Sequence, residues 1–110
     1  MVQREQFLVI GFIKEPGGVA ALYFGRQDGK ERRYVGKAGT GWTRTKSAEI
    51  RKALDTVVSP KQKLTQTIKK PKATWVEPKF YADIEYRDIT SEGLLRASSF
   101  KGLTKGTRRS

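Results

Sequence analysis

The chain has no cysteine and no histidine, and each absence removes a class of chemistry. Without thiols there is neither a disulfide framework nor a thiolate nucleophile, and without imidazole there is no histidine acid–base pair. Losing both donors also removes the usual zinc sites. Long apolar runs are missing too. The two longest, Phe7 to Ile13 and Val19 to Phe24, fall far short of the roughly 20 residues of a membrane-spanning helix, and neither has the layout of a secretory signal. The sequence therefore predicts a cytoplasmic protein with no membrane partner. Acidic residues are scarce: 11 Asp and Glu face 23 Lys and Arg, which leaves a formal charge of +12.

What is present fits one small folded unit. At 110 residues and 36% hydrophobic composition, the chain suffices for one compact core and not two, since domains run to roughly 100–200 residues. We expect a single, monomeric domain over 1–110, with 104–110 as a flexible basic tail. The surplus of positive charge points to a polyanion, because Lys and Arg displace the counterions condensed on a phosphate backbone and their release favours association. The plain alternative is a basic surface that serves solubility. The charge is uneven. Lys61, Lys63, Lys69, Lys70 and Lys72 share a stretch without an acid, read as a loop. Arg96, Lys101, Lys105, Arg108 and Arg109 follow Glu92, again without one. Asp83, Glu85 and Asp88 make the section between locally acidic and ill suited to face phosphate.

Hydrophobic patterning predicts the order of elements. Gln6 to Ile13 is a β-branched and aromatic run too short for a helix, so it reads as a strand, ended by the turn signal Glu15-Pro16-Gly17-Gly18. Val19 to Gly25 and Glu31 to Lys37 flank Asp28-Gly29, the signature of a β-hairpin. Ile50, Ala53, Leu54, Val57 and Val58 recur at helical spacing with charged residues opposite, which predicts one amphipathic helix over Thr45 to Val58, stopped by Ser59-Pro60. Phe80, Ala82, Ile84 and Tyr86 alternate with Tyr81, Asp83, Glu85 and Arg87, a fourth strand with one buried face and one solvated face. A fifth is expected from Leu94 to Phe100. Three strands, a helix and two strands is the element order of the OB-fold, a mainly β, five-stranded Greek-key barrel that commonly binds oligonucleotides.

Two stretches carry more than pattern. Tyr34-Val35-Gly36-Lys37-Ala38-Gly39-Thr40-Gly41-Trp42 is one. The other runs from Trp75-Val76-Glu77-Pro78 through Ile84-Glu85-Tyr86 and Leu94-Leu95-Arg96 to Ser99-Phe100-Lys101-Gly102-Leu103. Together, over about Phe7 to Leu103, they resemble the C-terminal domain of bacterial ATP-dependent DNA ligases, of the type that works in non-homologous end joining. The resemblance implies an OB-fold that follows an adenylyltransferase domain, closes on it, and grips duplex DNA at a nick or break during repair and recombination. ATP and magnesium would serve the parent enzyme, and none would be bound by this chain alone. The family continues Phe-Lys-Gly-Leu with Arg-x-Asp-Lys; here Thr104-Lys105-Gly106-Thr107 matches none of those three residues.

The expected phosphate contacts, to nucleic acid or nucleotide, are Arg33, Lys37, Thr40, Lys101, Lys105, Arg108 and Arg109, with the lysine loop as a secondary set. Lys37 and Lys101 both sit inside the resembling segments and are both expected to matter, Lys101 being the more secure assignment because it directly precedes the lost motif. Gly36 to Gly41 has two readings, glycines that turn strand into helix or a backbone cradle for an anion; it is not a Walker loop, whose Lys-Ser/Thr pair follows the last glycine. Arg26-Gln27-Asp28-Gly29 differs by one residue from the ligase nucleophile motif Lys-x-Asp-Gly. Arginine cannot lose its proton to attack a phosphorus, so a hairpin turn is expected there and no catalytic residue in the chain. Trp42 and Trp75 are expected to pack, and Asp83 with Glu85 to lie solvated and hold no metal. The alternative from another class is a free-standing OB-fold protein for single-stranded DNA or RNA.

Overall fold

The computed structural model describes residues 3–28, 31–39, 41–60, 69, 72–77 and 79–105, and side chains except those of Gln27, Asp28 and Lys105. Its elements run β1 (Gln3–Glu15), β2 (Gly18–Asp28), β3 (Glu31–Ala38), α1 (Arg44–Asp55), β4 (Ala73–Trp75), β5 (Phe80–Tyr86), β6 (Asp88–Ile89), β7 (Leu95–Arg96) and β8 (Ser99–Lys105). The main sheet has the order β3-β2-β1-β5-β8, all neighbours antiparallel, with β4 also pairing β1. This is the expected OB-fold barrel, its five principal strands being β1, β2, β3, β5 and β8.

The centre of the barrel is β1, which is apolar on both sides. Phe7, Val9 and Phe12 join the interior cluster with Phe24, Ile84 and Phe100, while Leu8 and Ile10 join Tyr23 in a second cluster on the opposite face. Side chains alternate across a strand, so an unbroken apolar run needs cover on both faces. The interior is closed by α1, whose Ile50 and Leu54 are fully buried. Thr43 caps the helix by accepting a hydrogen bond from the Lys46 amide at 3.1 Å. Ser47, 5% exposed, both accepts from the Val19 amide at 2.9 Å and donates to the Val19 carbonyl, fastening the helix to β2.

Four expectations are corrected. The helix ends at Asp55 and not Val58, because the chain past Thr56 turns to pair elsewhere: the Ser59 amide donates to the Trp75 carbonyl at 2.8 Å and the Glu77 amide to the Val57 carbonyl at 2.7 Å. Val58, placed on the buried stripe by its spacing, is instead 48% exposed. The short β4 was not foreseen; it pairs with Gly11 to Ile13 of β1. The fifth strand is two pieces. Residues 88–89 and 95–96 form a separate ribbon, and Ala97, at φ 55°, turns the chain into β8. That strand runs on through Thr104 and Lys105, opposite Tyr81 and Phe80, so no tail begins at 104; residues 106–110 lie outside the described residues.

Candidate nucleic-acid interface

The sheet order ends at β3 on one side and β8 on the other, so among the described residues the barrel closes along a seam without a backbone ladder. Side chains and glycines close it. At Gly36, φ is 138° and an added Cβ would sit 3.3 Å from Leu95; at Gly41, φ is 103° and a Cβ would collide with the Phe100 carbonyl oxygen and lie 2.7 Å from its amide nitrogen. The Ser98 hydroxyl donates to the Lys37 carbonyl at 2.8 Å. Trp42 stands edge-on to Phe100, ring centroids 5.4 Å apart. The first stretch singled out in the sequence and the last part of the second, from Leu95 to Phe100, thus meet across one seam among the described residues. Within Gly36 to Gly41, Gly36 and Gly41 serve close packing between the end of β3 and the start of α1.

Lys37 stands opposite Tyr23, whose ring belongs to the outer cluster, so it leaves the outer face of the barrel beside the seam. It is exposed and forms no ion pair among the described residues. Lys101 is placed differently. The β5–β8 register shifts between Asp83 and Ile84, leaving Lys101 as the extra residue of a bulge, which re-aims a side chain. Its ammonium lies 3.6 Å from Glu85. Arg33 is exposed and pairs with Glu31 at 2.9 Å. Lys69 and Lys72 are exposed, and Lys105 continues β8 in the main chain. Thr40, Lys61, Lys63, Lys70, Arg108 and Arg109 lie outside the described residues.

The acidic section is a partly solvated face, as expected, and two of its carboxylates are paired there. Asp83 accepts from the Arg4 guanidinium at 2.9 and 2.5 Å, and Glu85 meets Lys101; hydrogen bonding and then charge from Asp83 hold Arg4 above its ordinary pKa. Both carboxylates are matched by cations at the surface. Arg26, the residue in the near-miss nucleophile motif, is likewise committed. It grips both oxygens of Glu5 at 3.0 and 2.9 Å and lies over the Phe7 ring, 5.3 Å from its centroid. Tyr86 donates to the same Glu5 at 2.8 Å. Burial first, and then that hydrogen bond, raise the Tyr86 phenol above its usual pKa; burial raises Tyr23 and Tyr34 as well. Asp28 pairs with Glu31, so β2 and β3 form the expected hairpin with Asp28 in the ladder; Gly29 lies outside the described residues. Trp75 packs against Tyr23, centroids 6.0 Å apart, so both tryptophans pack as expected.

Sequence reasoning missed Ser98 and Glu5. Ser98 was read as an ordinary strand residue; the signal available was the small Ala-Ser-Ser run that interrupts the apolar alternation. Nothing in the sequence pairs Glu5 with Arg26 and Tyr86, since that requires knowing which strands flank β1.

An OB-fold barrel closed along a glycine-lined seam, with an exposed lysine beside it, is the class of module that the fold and site define. The family model for the ATP dependent DNA ligase C terminal region matches residues 15–106, and the chain belongs to that family. It is 28% identical over 109 residues to the multifunctional non-homologous end joining protein LigD of Pseudomonas aeruginosa, covering 91% of this chain and 13% of that protein. To LigD of Mycolicibacterium smegmatis it is 30% identical over 89 residues, covering 78% and 12%. The chain therefore spans about an eighth of these relatives' length. The ligase domain of M. tuberculosis LigD has the same fold, with a TM-score of 0.85 at 24% identity over 94% of this chain and 35% of that one. So has a mycobacterial DNA ligase D complexed with ATP and MES, at the same TM-score and identity over 96% and 36%.

Proposed function

We propose that this domain is the DNA clamp of a bacterial end-joining ligase: it closes on an adenylyltransferase domain and holds nicked or broken duplex DNA, in the cytoplasm and as one copy, through backbone phosphates without reading sequence. The observation that carries this is Lys37, exposed beside the seam, within the segment characteristic of the family, and unmatched by any described carboxylate. Phosphate contacts position a protein on a duplex and say nothing of base identity. Lys101 is the lesser contact, because Glu85 shares its charge. The chemistry that ATP and magnesium supply resides elsewhere in the parent enzyme, and no step of it is assigned to these residues. Family membership does not favour the free-standing single-strand binder.

The test is binding of nicked duplex by the chain as salt is raised. Affinity should fall with a log-log slope of about −0.9 for each phosphate contacted. Lys37→Ala should reduce that slope by about one contact, Lys101→Ala by less, and Lys69→Ala least. Equal losses at all three positions would mean that only bulk charge matters. A covalent AMP adduct formed by the chain alone with ATP would overturn the clamp reading.

A further inference from the structure

We propose that Ser98 is a positioning residue for Lys37, holding the peptide from which the lysine leaves the barrel; the inference rests on the reading of Lys37 as a phosphate contact. The Lys37 carbonyl accepts from the Ser98 hydroxyl across the seam at 2.8 Å, a bond between residues 61 apart in sequence. Each side of the donor is pinned. Before it, the Arg87 amide donates to the Arg96 carbonyl at 3.1 Å, fixing the ribbon of β6 and β7; after it, Ser99 is in register with Glu85 of β5. Between them Ala97 holds φ 55°, the left-handed region that alanine enters only where its surroundings hold it there.

That turn makes a rigid corner from which a short hydroxyl side chain reaches the edge of β3. Among the described residues no strand pairs with β3 on that side, so the carbonyl there would otherwise turn to water. One hydrogen bond at this point fixes the orientation of the peptide that follows the Lys37 side chain, and hence the direction in which its four-carbon stem departs. Gly36, packed on Leu95, fixes the preceding peptide. The ammonium is thereby offered from a defined point on the outer face, and the ordering cost of engaging a phosphate falls.

The experiment compares Ser98→Thr, which keeps the hydroxyl, with Ser98→Val, which has the same shape without it. The measurement is the salt slope of nicked-duplex binding by the chain, with thermal unfolding in parallel. Val is expected to lose most of the Lys37 share of the slope, up to about 0.9, while Thr stays near the parent value. In a Lys37→Ala background, Val should change nothing further. Equal slopes for Thr and Val, or a Val loss that adds in full to that of Lys37→Ala, would overturn the inference while leaving Lys37 as a contact. If Lys37→Ala itself leaves the slope unchanged, the phosphate reading of Lys37 fails, and this inference with it. Ser98→Ala, the smaller truncation, gives a second reading of the donor's loss and should follow Val; Ala following Thr would also overturn it.

Discussion

Replacing Gly41 by alanine separates two costs that are usually merged. At φ 103° any L side chain is disfavoured, and the new Cβ would also lie 2.7 Å from the Phe100 amide nitrogen and collide with its carbonyl. The conformational part costs about 1–2 kcal/mol, and forcing an atom into packed backbone about 1–3 kcal/mol more, so a total near 3 kcal/mol is expected. Gly17 is the control: its φ is 80° and nothing lies within 4 Å of an added Cβ, so Gly17→Ala bears only the first cost. Urea unfolding, followed by the fluorescence of Trp42 at the seam, should show the Gly41 variant's midpoint about 2 M below the parent, and the Gly17 variant's about 1 M below, for a slope near 1.5 kcal/mol per molar. Equal shifts would refute the claim that the segment leaving β3 is clamped against β8.

Tyr86→Phe removes the hydroxyl that donates to Glu5. A hydrogen bond to a charged acceptor contributes about 1.5–3 kcal/mol, but Arg26 still satisfies Glu5, so the loss in thermal unfolding should sit near the lower figure; an unchanged melting temperature would show the bond is worth nothing. Stability should also fall in alkali. Tyr23, Tyr34 and Tyr86 all have raised pKa values in the fold, so above about pH 10 the unfolded chain gives up phenolic protons that the folded chain keeps. Their contribution is whole below that pH and is lost as pH climbs through the folded values; a flat unfolding midpoint from pH 9 to 11.5 would contradict it.

The alternation in Phe80 to Tyr86 and the hairpin of β2 with β3 were legible because both are local: side-chain period and the pairing of successive strands are properties of neighbouring residues. The helix overran for the same reason. Val57 and Val58 keep helical spacing, yet pairing with Trp75 to Glu77 supplies their backbone partners and pulls them out. The split of the fifth strand was hidden because alanine at Ala97 gives no sign of a left-handed turn that glycine would have announced. For the site, composition and resemblance found Lys37 and Lys101 alike, and only the register shift that turns Lys101 toward Glu85 distinguishes them. The hydroxyl that braces Lys37 lies across the seam, beyond the reach of any local pattern.

The two-sided burial of β1 has a consequence for the order of events on the ribosome. Its partner β2 follows within a few residues, but Arg4 must wait for Asp83, 79 residues later. At roughly 5–20 residues per second of synthesis, the first half of β1 spends several seconds as an open edge, with the outer faces of Leu8 and Ile10 uncovered. An exposed strand edge is a template for pairing with another chain, and charged residues along it are a common protection. The stretch that waits longest, Gln3 to Gln6, is polar throughout, carrying Arg4 and Glu5, and both of these later take native partners, Asp83 for the one and Arg26 with Tyr86 for the other. The same charges can therefore shield the nascent edge and then lock the finished barrel.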